Sequence, residues 1–231
     1  MNRSSLLRPA LASLITAVLT ACGGGGSDAE PAPPAPPATV GLPAPTSLVV
    51  IGNSITMHPI SEAIQWNHAS GMAASDAAHD YAHLIAAGLG LPTVSARNVA
   101  LLERAETADL SLIPAATSGI DAQTAVVVQL GDNAVVTGSP AFTASYVALL
   151  DAVSARQSLI CLSTWWWDSG KDAMIKAQCE AHGGHYVYIG DIYPTRADVI
   201  PADEHPAIVD HPHDASMAVI AQRVLAVFAR P

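Results

Sequence analysis

The sequence predicts an α/β domain, a five-stranded parallel sheet covered by helices on both faces, and three observations predict it. Two apolar β-branched runs, Leu48-Val49-Val50-Ile51 and Ala125-Val126-Val127-Val128, carry the unbroken hydrophobicity of strands buried on both sides. Stretches with apolar residues at helical spacing alternate with the strand candidates, as crossover helices do in a parallel sheet. Both long runs stop on turn chemistry, Gly52-Asn53-Ser54 and Gly131-Asp132-Asn133. Ligands of open α/β sheets collect at such carboxyl ends of strands.

Taken in order, the first strand ends at Gly52, which lets the backbone turn, and places Ser54 at its mouth. Residues 57–75, with His58, Trp66, Asn67, His68 and Gly71, have no period and form a long connection of the kind that lines sites. Residues 76–89 set Tyr81, Leu84, Ile85 and Leu89 at helical spacing before Gly90. His79 and His83 stand four apart there, as metal ligands can, but no further ligand is close in sequence, so they are expected as exposed helix histidines. Residues 93–98 form the second strand and 103–121 a loosely helical crossover, with Glu103 read as an exposed loop residue in preference to a carboxylate near the site. The third strand, 124–130, is followed by a helix over 142–156, a strand over 159–163, a helix over 171–182 and a strand over 186–189.

Residues 191–212 are rich in Asp, Pro and His and have no period. From Asp214 onward Met217, Ile220, Ala221, Val224, Leu225 and Phe228 share one side of a helix. This count fits a three-layer flavodoxin-like sandwich with strand order 2-1-3-4-5, whose switch point lies between strands 1 and 3. Ser54 and Asn133 end those two strands. Cys161 falls in a strand and Cys179 in a helix; a disulfide and two buried thiols both remain open.

The 231 residues carry 10 Lys plus Arg against 20 Asp plus Glu, a net charge of −10, and half are hydrophobic. That balance, with no basic run beyond the amino terminus, speaks against nucleic acid or an anionic lipid surface as partner. At the amino terminus Arg3 and Arg8 precede an apolar run too short to span a bilayer, the pattern of a secretory signal. Its end, Leu19-Thr20-Ala21-Cys22, resembles the lipobox of bacterial lipoproteins. That resemblance implies lipidation at Cys22 and a cell-envelope location on the periplasmic side or the outer membrane, with the membrane met only through the lipid anchor. Residues 1–21 are thus expected as signal peptide, the Gly/Pro/Ala-rich residues 22–45 as tether, and 46–231 as one domain.

Acyl transfer needs a nucleophilic hydroxyl, a base and donors for an oxyanion. Ser54 offers the first, and His211-Pro212, just before the last helix, offers an imidazole. The Asn133 amide, with the Ser54 and Gly131 backbone N–H groups, offers the third. In order and placement these blocks resemble the SGNH, or GDSL, hydrolase superfamily across nearly the whole domain. Gly52-Asn53-Ser54 looks like its Gly-Asp-Ser block, Gly131-Asp132-Asn133-Ala134 like Gly-x-Asn-Asp, and 208–212 like Asp-x-x-His-Pro. The resemblance implies Ser54 as nucleophile, His211 as base, Asn133 as oxyanion donor and no cofactor.

Three positions depart from that pattern. Asn53 replaces an Asp, no second-block glycine can be placed in 98–103, and Ile208 stands where the triad Asp belongs. The preferred reading is a Ser-His dyad whose ring is oriented by a backbone carbonyl, with Asp210 as the candidate acid or orienting partner. Trp165, Trp166 and His58 are expected to line the substrate. The implied activity is ester hydrolysis through an acyl-enzyme, on a small acyl ester or an acylated glycan. Acyl transfer to a glycan, an inactive envelope-binding domain of the same fold, and a metal site on His205, Asp210, His211 and His213 are the alternatives.

Overall fold

The computed structural model describes residues 41–135 and 138–229. The expected signal peptide, the expected lipidation site Cys22 and residues 23–40 of the expected tether lie outside them. Five strands, β1 (Ser47–Gly52), β2 (Ser95–Asn98), β3 (Thr124–Gln129), β4 (Ser158–Leu162) and β5 (His185–Val187), form one sheet in the order β2-β1-β3-β4-β5. Every pairing is parallel, and the register sets Gly52 opposite both Asn98 and Gln129, and Gln129 opposite Leu162. With Leu162 opposite Val187, all five strand ends are level, and the turns that follow them emerge at one edge. This is the expected fold class and strand order.

Strand side chains alternate between two cores. Leu48, Val50, Ala125, Val127, Ile160 and Leu162 face helices α1 (Tyr81–Gly88) and α6 (Asp214–Phe228). Val49, Ile51, Val126, Val128, Leu159 and Cys161 face the other layer. That layer holds α2 (Leu101–Arg104), α3 (Ile113–Ala116), α4 (Pro140–Ala152) and α5 (Ser169–Ala181). Side-chain caps set three helix starts: Asp80 accepts from the His83 N–H, Ser139 from that of Phe142 with Pro140 in the first turn, and Asp168 from those of Gly170 and Lys171.

Four sequence expectations are revised. The helix over 76–89 begins as a separate 3-10 turn, Ala77–His79, because Asp76 and Asp80 each start their own cap. The crossover after β2 starts two residues early, so Glu103 lies on α2, only 2 % exposed. Gly52 is required for space, since a Cβ there would sit 2.0 Å from Thr56 Oγ1 and 2.7 Å from the Gln129 carbonyl. The packed chain also reaches back into the expected tether: Leu42 donates its N–H to the Val227 carbonyl at 3.3 Å and packs on the core.

Cys161 and Cys179 form a disulfide joining β4 to α5. His79 and His83 each put Nδ1 on the carboxylate one turn earlier, Asp76 and Asp80, at 2.8 Å. Among the described residues no group of three or more His, Cys, Asp and Glu is arranged to hold a metal ion.

Candidate active site

The turn after β1 is built by Asn53. Its side-chain carbonyl accepts from the Ile55 N–H at 3.0 Å, and its backbone carbonyl from the N–H groups of Thr56 and Met57 at 3.1 Å. Asn53 is fully buried, and Ser54, next in line, is left half-buried at the sheet edge. Its Oγ lies 3.1 Å from His211 Nε2.

His211 comes from the far end of the chain, 157 residues away. Its own N–H donates to the Ile208 carbonyl at 2.8 Å, a tight turn that also brings Nδ1 to 3.2 Å from that carbonyl. A carbonyl only accepts, so Nδ1 carries the proton and Nε2 presents a lone pair to the Ser54 hydroxyl. Trp166 stands edge-on to the ring at a centroid distance of 5.1 Å. Burial lowers the His211 pKa to about 4, against the upward pull of the Ile208 carbonyl. At neutral pH the imidazole is neutral, the state a base must be in.

Asp132 ties the edge together. Its Oδ1 accepts from the N–H groups of Trp165 and Trp166 at 2.7 and 3.1 Å, and its Oδ2 from Gln129 Nε2 and Asn53 Nδ2 at 2.5 and 3.2 Å. One carboxylate thus links the ends of β1, β3 and β4. Desolvation raises its pKa, opposed by those bonds.

Beside it, Glu103 Oε2 accepts from Asn133 Nδ2 at 2.6 Å, and Oε1 accepts from Asn53 Nδ2 at 3.2 Å and from the Gly131 N–H. Arg104 Nη2 donates to Asn133 Oδ1 at 2.9 Å. Burial first, then the nearby Asp132 charge, push the Glu103 carboxyl up to about 7.

No family model matches the chain, and no curated protein matches it in sequence. Solved structures do match. A G-D-S-L family protein of Desulfitobacterium hafniense DCB-2, described as lipolytic, is 12% identical with a TM-score of 0.50, over 79% of this chain and 99% of that one. The fold is that of the SGNH, or GDSL, hydrolases. A G-D-S-L family protein of Veillonella parvula DSM 2008 is 14% identical (TM-score 0.48; 80% of this chain, 99% of that one). The acetylxylan esterase Axe2 of Geobacillus stearothermophilus, solved as a catalytic mutant, is also 14% identical (TM-score 0.48; 80% and 95%).

In this SGNH-type fold three expected site residues do other work. Asp210 neither orients nor protonates His211. Its side chain is more than half exposed and accepts from the Tyr193 hydroxyl at 3.2 Å, with Arg196 at 3.7 Å. The Ile208 backbone carbonyl fills the orienting role, because Ile208 itself is drawn into a small apolar cluster with Trp66 and Met72. Gly131 gives its N–H to Glu103 and is not available to an oxyanion. Trp165 is fully buried, its indole N–H on the Asp210 carbonyl at 2.8 Å, and does not line the substrate.

Trp166 does flank the dyad. With Trp167, Tyr188, Gly190, Asp191, Tyr193 and Pro194 it lines a hollow of about 540 Å³. His58 is near enough to depress the His211 pKa, with its Nδ1 2.7 Å from the Pro59 carbonyl. A second hollow of similar size is lined by Ile208 together with Trp66, His68, Glu204, His205 and His213 among others. His213, two residues beyond His211, is paired instead with Glu204, its Nε2 2.8 Å from Oε2. Sequence reasoning missed Arg104 and Glu204, and for Glu103 it preferred an exposed loop to the carboxylate beside the site that the structure shows. The available signal was Glu103 itself, a carboxylate where the second-block glycine could not be placed.

Proposed function

We propose that the protein is a serine-dependent ester hydrolase working through an acyl-enzyme on a Ser54–His211 dyad. The observation that carries this is the 3.1 Å approach of Ser54 Oγ to a His211 Nε2 whose tautomer the Ile208 carbonyl fixes. His211 Nε2 takes the hydroxyl proton as Oγ bonds to the acyl carbon. The carbonyl oxygen becomes an oxyanion facing the Ser54 N–H and the Asn133 amide. Nε2–H then protonates the departing alcohol, and the same base activates the water that releases the acid and restores Ser54.

The alcohol side of the substrate fits the aromatic hollow. Trp167 is 64% and Tyr188 39% exposed there, beside an Asp191–Arg223 ion pair. Ring faces next to hydrogen-bonding groups suit a sugar that carries the acyl group. Acyl transfer to a sugar hydroxyl would use the same acyl-enzyme. The test is hydrolysis of p-nitrophenyl acetate together with covalent labelling by a fluorophosphonate. Wild-type protein should show both and Ser54→Ala neither; an unlabelled, inactive wild type would favour the binding-domain alternative.

The lipobox-like run at 19–22 supports an envelope enzyme anchored through Cys22. Two or more acyl chains anchor stably, at about 0.8 kcal/mol per buried methylene. Cys22→Ser should move the protein from the detergent phase to the aqueous phase in Triton X-114 partitioning; unchanged partitioning would reject the anchor.

A further inference from the structure

The mechanism above uses Asn133 as a donor but does not say what aims its amide, and it leaves Glu103, a buried carboxylate with three hydrogen-bond donors, without a task. The orientations of these partners are fixed by atoms that can play only one role. Arg104 can only donate, so the Asn133 oxygen must face it and the Asn133 nitrogen must face Glu103. The Ile55 N–H can only donate, so the Asn53 oxygen faces Ile55 and its nitrogen faces Glu103 and Asp132. Gly131 adds a backbone N–H. Three donors therefore converge on Glu103, and an ionised carboxylate accepts all of them.

An amide nitrogen carries two hydrogens. Glu103 takes one from Asn133, Arg104 grips the oxygen at the other end, and the amide is held at both ends with its second N–H left over. We propose that Glu103 is a positioning residue of the oxyanion hole, its buried carboxylate fixing the Asn133 amide so that the second N–H is presented to the acyl oxygen. This rests on the ester-hydrolase reading. The negative charge so close to a developing oxyanion is offset by the Arg104 guanidinium on the same amide. The charged group that acts on Glu103 is Asp132, from the turn after β3; Arg104, from Glu103's own helix, bonds the Asn133 amide instead.

Glu103→Gln isolates the role. Its amide oxygen can keep the bonds from Gly131 and Asn53, but its NH2 then meets the Asn133 NH2, donor against donor, and the Asn133 amide must turn. The expected result is a kcat lowered by about tenfold to a hundredfold, with KM changed less than about threefold. In an Asn133→Ala background the same change should cost less than about twofold, because Glu103 acts through Asn133. Wild-type kcat in Glu103→Gln overturns the proposal. So does an equal loss in both backgrounds, which would mean a merely structural role.

A pH profile gives a second readout that does not depend on Glu103→Gln folding. Protonating Glu103 weakens its hold on Asn133, so the acid limb of wild-type kcat should fall near pH 7, the value burial gives this carboxyl. In Asn133→Ala the Glu103 proton no longer acts on an oxyanion donor, and the limb should move toward about 4, the value burial gives His211. A wild-type limb near 7 that stays there in Asn133→Ala overturns the proposal, because Glu103 would then act without Asn133. Failure of the hydrolase reading is separately visible as absence of fluorophosphonate labelling in the wild type, and the proposal falls with it.

Discussion

Ser54 Oγ faces His211 Nε2 from a turn that Asn53 builds with its own side chain, so removing the hydroxyl leaves the turn intact. Ser54→Ala should abolish turnover with an unchanged melting temperature, and residual activity above a few per cent in a clean preparation would reject the nucleophile. His211→Ala should be equally inactive. Asp210→Ala should keep at least a tenth of kcat, because its carboxylate bonds Tyr193, with Arg196 at 3.7 Å, and acts on His211 through charge without a hydrogen bond. His213→Ala should also keep that fraction but melt earlier, since it leaves Glu204 with its buried partner gone. A dead Asp210→Ala would mean that the carboxylate reaches the ring during turnover. At this scale the sequence told much about Ser54 and His211, each of which carries a local motif. A backbone carbonyl as the orienting group was the preferred reading, but that it belongs to Ile208 has no signature in residue type. Glu103 was misjudged for a related reason: one carboxylate among Leu101, Leu102 and Arg104 looks like a solvated turn until the donors of Asn53, Gly131 and Asn133, distant in sequence, close on it.

Among the elements, β1 and β3 were legible because both faces of each are buried and their apolar runs are unbroken. Strand β5 is short and half-exposed, and the chain over 191–212 is held by side-chain bonds such as Arg196 to the carbonyls of Val209 and Asp210, which leave no period. The strand-to-turn junction at Gly52 allows no Cβ, so Gly52→Ala must displace Thr56, which bonds the buried Tyr81 hydroxyl at 2.5 Å. Overpacking of this kind costs about 1–3 kcal/mol, and the turn that carries Ser54 moves with it. Gly52→Ala should therefore lose kcat as well as stability; unaltered kcat in the folded variant would separate the junction from the site. On the opposite wall, Trp167→Ala should raise KM for a peracetylated disaccharide about tenfold and leave p-nitrophenyl acetate hydrolysis unchanged. Equal effects on both substrates would remove the aromatic hollow from the alcohol side.

Across the whole molecule two buried titratable groups at the sheet edge pull stability in opposite directions with pH. Glu103 has its folded-state pKa raised from 4.5 to about 7, so between those values the folded protein holds a proton the unfolded chain releases. Its contribution is therefore fully present below about 4.5 and is lost as pH rises to about 7, by about 3 kcal/mol at 1.36 per unit. His211 has its pKa lowered from 6.5 to about 4, so in that window the unfolded chain takes up a proton the folded protein refuses. Its contribution is present above about 6.5 and is lost as pH falls. The two slopes oppose each other where their windows overlap, between about pH 4.5 and 6.5, and the raised pKa of Asp132 adds to the Glu103 side. Glu103→Gln removes one slope and leaves the other. Urea unfolding of the two proteins at pH 5, 6 and 8 cancels His211, which is common to both, and exposes the carboxyl. The variant should gain on wild type by about 2–3 kcal/mol from pH 5 to pH 8, with the gain complete just above pH 7. A difference between the two proteins that stays constant with pH would mean that Glu103 is ionised throughout, with a pKa near its ordinary value despite its burial.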